Sequence, residues 1–369
     1  VLAADLVALR TQPPADVSAM DGYAARAADV ATAPARLRLI GEVAAGHPFS
    51  GKVGPGEAAR IFTGGVLPPG ADTIVIQENT TREGDIVIVT EGTVAGRHIR
   101  TAGLDFANGG VHLGKGRRLT DRDLALAAAM NHPTVPVHRR PKVAVLATGD
   151  ELVMPGSSPG IGEIVYSNGY STMAQARREG CEVVDLGIAP DRLDETVAAV
   201  RRARSVGADI LVTSGGASVG DYDFVQTALK AEGLDLSFWK VAMRPGRPMM
   251  HGRLGTMHVL GLPGNPVSSY VCGVLFLLPL IRRLSGRSDC EPEIETALLG
   301  CDLPQNDERA DYLRAALAAG DGLPVATPFP LQDSSMLTPL AKADCLLIRA
   351  PHAPAAKAGS RCSILKLGL

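Results

Sequence analysis

A mostly parallel, doubly wound α/β sheet set among smaller β-rich modules is the architecture this sequence predicts. Three observations carry that expectation. Between Pro141 and about Ser285, continuous apolar runs alternate with amphipathic stretches, the pattern of strands buried on both faces by crossover helices. On either side, up to about Gly116 and from about Glu291 onward, short β-like pieces are separated by Gly, Pro and Asp. Finally, 369 residues with 46% hydrophobic and 21% charged side chains suffice for two or three domains with real cores and exclude global disorder.

Taken in order, the N-terminal region carries TIVIQE and DIVIVTEG as strands, with turns at REGD and VGPGE. LTDRDLALAAAM, from Leu119 to Met130, reads as a helix with Thr120 as N-cap and aspartates in its first turn. The central region then offers KVAVLATGDEL as a strand ending in a Gly/Asp loop and a helix from about Tyr170 to Glu179. CEVVDLGIAPD follows as a second strand, ETVAAVRRARSVG as a helix and ADILVTSGGASVGDYD as a third strand. MHVLGLPGNPVSS is a fourth strand that turns through Pro-Gly-Asn-Pro into the helix VSSYVCGVLFLLPLIRRL. The C-terminal pieces ETALLGC, DCLLIRA and CSILKL suggest a small β-barrel or sandwich. In a doubly wound sheet ligands sit outside the carboxyl ends of the strands, where several Gly-rich polar loops fall here.

Composition excludes some functions. A net charge of −2 leaves no electrostatic footprint for nucleic acid. The longest apolar run, Val271 to Ile281, is too short to cross a bilayer and contains a proline, so no membrane insertion is expected. The six cysteines show no CxxC spacing and no nearby His partners, which argues against zinc, thioredoxin-like and disulfide frameworks and fits a reducing cytoplasm. The chain starts at Val1 without a methionine or a signal peptide, and is expected to begin inside a longer polypeptide.

Several strings carry chemistry. SGGASVGDYD follows a buried strand; Gly215 and Gly216 let backbone amides approach an anion, and Ser214 and Ser218 add hydroxyls. It is neither a P-loop nor a dinucleotide fingerprint, so it reads as a phosphate- or pterin-binding loop or, more plainly, as a βα turn. ATGDEL sets Gly149, Asp150 and Glu151 at another strand end, suited to holding Mg²⁺ or orienting water, or else a solvated acidic turn. KVAMRPGRPMM gathers Lys240, Arg244 and Arg247 around a rigid turn, either a tetrahedral-oxyanion site or a surface basic cluster. In GLPGNPVSS, Pro263, Gly264, Asn265 and Pro266 fix a turn whose backbone could line a pocket. DVSAMDGYA and ARIFTGGVLPPGAD combine turn chemistry with Asp21 and Thr63. The histidines show no ligand pairing and read as structural or surface residues.

Together, DVSAMDGYA, RIFTGG, GLD, LATGDEL, SGGASVGDYD, KVAMRPGRP and GLPGNPVS resemble one family, the molybdopterin molybdenumtransferases: bacterial MoeA and the E domain of eukaryotic gephyrin. The strings agree in order and rough spacing from Val1 to about Ser334. The resemblance implies insertion of molybdate into adenylylated molybdopterin, with Mg²⁺-dependent hydrolysis releasing AMP and molybdenum cofactor. It implies a cytoplasmic homodimer, with residues of both subunits near each cleft, exchanging substrate and product with a molybdopterin adenylyltransferase and recipient molybdoenzymes. It also implies four domains: a discontinuous linking α/β domain (1–16 and 112–140), a small β module (17–111), a molybdopterin-binding α/β domain (141–288) and a C-terminal β-barrel-like domain (289–369). The family's functional acids and threonine fall on Asp21, Thr63, Asp105, Glu151, Asp191 and Asp223, with Asp223 and Glu151 as Mg²⁺ ligands. Pterin and AMP contacts fall on Gly149, Asp150, Ser214, Gly215, Gly216, Ser218 and Pro263 to Pro266. The oxyanion cluster maps onto Arg244, Arg247, Pro248, Arg314 and Ser334, with Lys240 nearby.

No catalytic cysteine is needed, because the dithiolene sulfurs belong to the substrate. One departure matters: the family commonly has lysines where this chain has Arg244 and Arg247, which keeps the charge and changes the hydrogen-bond geometry. The residues from Val1 onward do not include the family's long N-terminal helical segment. Two other readings remain: a molybdopterin adenylyltransferase, which the extra modules argue against, and a non-catalytic pterin-binding scaffold, which the retained acids argue against.

Overall fold

The structure is a computed structural model that describes every residue except 216–223, 321 and 369. The chain divides into two compact units, Val1–Val137 and His138–Leu369.

In the first unit a six-stranded sheet runs in the order Thr73–Ile76, Gly22–Ala25, Glu57–Ile61, Ala35–Val43, Ile86–Val89 and Thr80–Glu83. The REGD turn joins the last two as a hairpin. Its apolar residues form two clusters, one around Val30, Leu37, Val87 and Val89, the other around Val43, Val53, Ile61 and Ile74. A third cluster joins Leu2, Leu6 and Ala8 to Phe106, Leu113, Ala127 and Met130, so both ends of the unit's sequence share one core. The helix Asp121–Ala129 starts as the sequence predicts: Thr120 and Asp123 form a reciprocal capping box, which satisfies amides the first turn leaves open.

The second unit holds the predicted doubly wound sheet. Four parallel strands lie in the order Glu182–Ala189, Lys142–Thr148, Ile210–Ser214 and Met257–Leu262. Alternation explains why they read as unbroken apolar runs. Val143, Val145, Ile210, Val212, Leu260 and Leu262 face one helical layer through Met173, Val271 and Ile281. Ala144, Leu146, Leu211 and Val259 face the other through Val200, Ala203, Val225 and Leu229.

Two further strands complete this sheet, the first in the strand-like sequence around His251 and the second not expected from the sequence. Met250–Leu254 and Asp235–Trp239 extend the sheet antiparallel at its edge, and the KVAMRPGRPMM string runs from its turn into the first of them at Met250. The helix expected from about Tyr170 starts at Asn168. The apolar run at Val271 is part of a longer helical segment, Pro266–Leu284, whose 19 residues are apolar enough to cross a bilayer by length and composition. The expectation that this segment is too short is therefore corrected, but 56% of it is buried, as suits a core helix.

Beyond this sheet, Ala310–Ala318, Val325–Pro328, Glu295–Leu299, Arg361–Lys366 and Cys345–Arg349 pair in turn, and the last pairs back to the first. That closes the five-stranded barrel anticipated for the C-terminal region, with Ala297, Ala315, Leu347 and Ile364 inside. All six cysteines are free.

Candidate active site at the strand ends

Parallel strands deliver their carboxyl ends to one edge of the sheet, so the loops after Thr148, Ala189, Ser214 and Leu262 meet there. Those after Thr148, Ser214 and Leu262 border a cavity of about 430 Å³ whose lining includes Thr148, Glu151, Ser214, Gly215, Arg247 and Pro248. Pro263, Gly264, Asn265 and Pro266 complete that side. Nine residues read separately in the sequence thus become neighbours of one another, and of Thr148, only through the sheet.

Two glycines make the approach possible. Gly215 has φ +90°, and a Cβ there would lie 2.6 Å from the Thr148 carbonyl oxygen. Gly149 has φ +148°, and its Cβ would meet the Glu151 carboxylate at 2.4 Å. No side chain fits either place.

The acids gather at the same edge. The Asp191 amide donates to Asp150 Oδ1 at 3.0 Å. The Asp191 carboxyl is raised above its ordinary value by burial first, and also by the charges of Asp150 and Glu151.

The Pro-Gly-Asn-Pro turn is braced from both sides. Asn168 Nδ2 donates to the Gly264 carbonyl at 2.7 Å, and Asn265 Nδ2 donates to Ser334 Oγ at 2.9 Å. The Val267 amide donates to the Ser334 carbonyl at 3.0 Å, so Ser334 also serves the start of the helix.

The cations divide. Arg247 is exposed and lines the cavity. Arg244 is held by Asp311 through Nε at 2.9 Å and Nη2 at 2.6 Å, and reaches Asp307 through Nη1 at 3.2 Å. Asp311 raises its pKa further. Lys240 sits 5.1 Å over the Trp239 ring. Arg314 is only 1% exposed, and its guanidinium donates to Gln332 Oε1 and to the carbonyls of Met336 and Leu331. Burial lowers its pKa, and it fastens the loop that carries Ser334. Of the oxyanion cluster, only Arg247 and Pro248 line the cavity.

The remaining expected residues lie in the first unit. The pairing of Gly22 with Ile61 places Asp21 beside Thr63. Asp21 Oδ1 accepts from the Thr63 amide at 2.7 Å and from Thr63 Oγ1 at 2.8 Å, and these bonds lower its pKa. Asp105 is exposed, its amide bonded to the Gln12 carbonyl at 3.0 Å. Gly216, Ser218 and Asp223 lie outside the described residues.

Three family descriptions match the chain in sequence order. They are the MoeA N-terminal region (domain I and II) at 1–131, the probable molybdopterin binding domain at 144–283, and the MoeA C-terminal region (domain IV) at 296–367. The molybdopterin molybdenumtransferase of Haemophilus influenzae is 34% identical over 94% of this chain and 86% of its own length. That of Bacillus subtilis is 36% identical over 94% and 82%. The chain belongs to the molybdopterin molybdenumtransferase family. A solved molybdopterin biosynthesis MoeA protein from Pyrococcus horikoshii superposes with a TM-score of 0.85 at 28% identity, covering 99% of this chain and 91% of that one.

The motifs that identify a molybdopterin molybdenumtransferase did not reveal the whole cavity. Thr148, Leu152 and the segment from Ile164 to Asn168 also line it. Ser-Asn-Gly at the start of a helix was the one available signal, since such residues favour helix N-termini. Nothing in the sequence marks Ile164 or Tyr166.

Among the described residues no group of three or more His, Cys, Asp or Glu is arranged to hold a metal ion. A full cage is not what Mg²⁺ requires: it usually takes one or two carboxylates, keeps waters, and completes its shell with substrate phosphates. Glu151 lines the cavity and supplies hard carboxylate oxygens of the kind such a partial shell takes, so this donor fits the ion.

Proposed function

We propose that the strand-end cavity binds adenylylated molybdopterin beside molybdate, and that the chain inserts the molybdate while releasing AMP. Family membership makes it a transferase of molybdenum cofactor biosynthesis. The observation that carries the finer reading is one cavity bringing Glu151, Ser214, Gly215, Arg247 and the Pro263–Pro266 turn together.

Each group has a task. Ser214 and the amides near Gly215 receive the phosphates, since glycine lets backbone donors approach an anion. Arg247 offers its fork to tetrahedral molybdate, a dianion that needs charged donors rather than metal-ligand side chains. Glu151 and Asp191 orient the water that attacks the phosphoanhydride; the raised carboxyl of Asp191 suits it to proton transfer. Asp150 and Gly149 hold the turn that presents them. Glu151, with Asp223 beyond the described residues, would hold Mg²⁺. When bound, Mg²⁺ neutralises charge on the leaving phosphate.

Arg314 and Ser334 support the Pro-Gly-Asn-Pro turn, Arg244 ties the arginine turn to Asp311 and Asp307, and Lys240 adds positive charge near Arg247. The roles of Asp21, Thr63 and Asp105 rest on the family resemblance, as do the homodimer, the four domains, the cytoplasmic location and the exchange with an adenylyltransferase and recipient molybdoenzymes.

The test supplies purified protein with adenylylated molybdopterin, Mg²⁺ and molybdate. AMP release together with molybdate-dependent reactivation of a cofactor-free molybdoenzyme is the expected result. Pterin binding with neither output would replace this reading with a scaffold.

A further inference from the structure

Four hydroxyls in the α/β domain are buried without a hydrogen-bond partner: Thr148 Oγ1, Tyr166 Oη, Thr213 Oγ1 and Ser269 Oγ. An unpaired buried hydroxyl is costly, so each such group calls for an explanation. Thr213 and Ser269 are fully enclosed and lie away from the cavity lining. Thr148 differs. It is 4% exposed and lines the cavity, as the last residue of the central strand.

Its Oγ1 is itself buried, and its neighbours Gly149 and Gly215 carry no side chains. Thr148 pairs with Ala189 on one side, while Ala147 pairs with Ser214 on the other. The next residue on that second strand, Gly215, would place a Cβ 3.3 Å from Thr148 Oγ1, and glycine leaves that space free. Gly149 follows Thr148 and likewise has no side chain. The hydroxyl therefore sits between two glycines, beside the buried Ser214.

We propose that Thr148 is a substrate-binding residue whose hydroxyl donates a hydrogen bond to an oxygen of the AMP phosphoryl group of the nucleotide-bearing substrate. This rests on the reading of the cavity given above and adds a contact to it. The unpaired state is then a cost carried by the free protein and relieved on binding. Removing the hydroxyl should leave stability unchanged or improved while weakening the ligand, the opposite pairing from a structural hydroxyl.

The experiment compares wild type, Thr148→Val, Thr148→Ser and Thr213→Val of the whole chain, by thermal unfolding and by calorimetric titration with AMP and with adenylylated molybdopterin. Thr148→Val keeps the β-branched shape, so its Tm should equal or exceed wild type while affinity for both ligands falls roughly tenfold. Thr148→Ser keeps a hydroxyl and should stay within about threefold of wild type. Thr213→Val, which removes an equally unpaired hydroxyl outside the lining, should bind both ligands as wild type does. Wild-type affinity in Thr148→Val, or a loss confined to the pterin ligand with AMP binding intact, would overturn the proposal and leave the cavity reading standing. Wild-type protein that binds neither ligand would overturn the cavity reading and this contact with it.

Discussion

The two ends of the central sheet use the same residue types in opposite ways. At the amino end, Asp209 accepts from Arg139 at 2.5 and 2.7 Å and from the Lys142 amide at 2.8 Å. Lys142 in turn reaches the Val206 carbonyl at 3.0 Å and Glu182 at 3.4 Å. Charge meets opposite charge, and the Arg139 hydrogen bonds hold the Asp209 carboxyl below its ordinary value. At the carboxyl end Asp191 lies with Asp150 and Glu151, its carboxyl pushed up by burial and like charge, and Thr148 has a buried hydroxyl with no partner. One end completes its interactions within the chain. The other leaves them open, which is how a fold stores affinity for a ligand.

If that contrast is right, mutations at the two ends should separate activity from stability. The largest effect is expected from Arg247→Ala, with turnover falling on the order of a hundredfold. Its unfolding midpoint should barely move, because the exposed guanidinium lines the cavity rather than the core. A large loss of stability with turnover preserved would erase the distinction.

Gly215→Ala comes next. Its φ of +90° and the 2.6 Å clash with the Thr148 carbonyl should cost about 1–3 kcal/mol in urea unfolding. Asp209→Asn at the other end should lose about 1–2 kcal/mol, since the paired carboxylate is replaced by a neutral group and the exposed arginine limits the loss. AMP release by the folded fraction should be unchanged; a parallel fall in turnover would place the amino end in the catalytic machinery.

The smallest effect sharpens the comparison through pH. Asp209 is lowered, so its stability contribution is full above the ordinary Asp value and fades as pH falls through its folded pKa. Asp191 is raised, so it costs stability above its folded pKa, and that cost is relieved as pH falls toward the ordinary value. Asp191→Asn should therefore stabilise at neutral pH, by less than about 0.5 kcal/mol because solvent screens the site, with the gain shrinking toward pH 4. A gain that grows on acidification would contradict the sign.

Much of this was legible in the chain itself. Strands buried on both faces read as unbroken apolar runs, so KVAVLAT and ILVTS stood out, and Thr120 announced its helix through local capping alone. The strand Ala310–Ala318 did not stand out. Its sequence, ADYLRAALA, is rich in good helix formers and shows no clean alternation, and barrel neighbours on both edges override that preference. The edge strand Asp235–Trp239 was hidden similarly, being largely exposed and lacking an apolar run.

The site divides along the same line. Glycine turns, acids at strand ends and a rigid Arg-rich turn are short-range features, so residue order alone revealed Glu151, Gly215 and Arg247 along with the family. Which of two neighbouring arginines faces the cavity is a long-range matter: Arg244 is claimed by Asp311, a barrel residue 67 positions away. Tyr166 and Thr148 joined the site for the same reason, because a packed sheet decides what lies beside a strand end. Local propensity and turn chemistry are written in neighbouring residues, and so the sequence by itself determined the fold class and the motifs. Side-chain pairing across distant segments exists only after the chain packs, and so only the tertiary structure decided which groups are satisfied and which are left for a ligand.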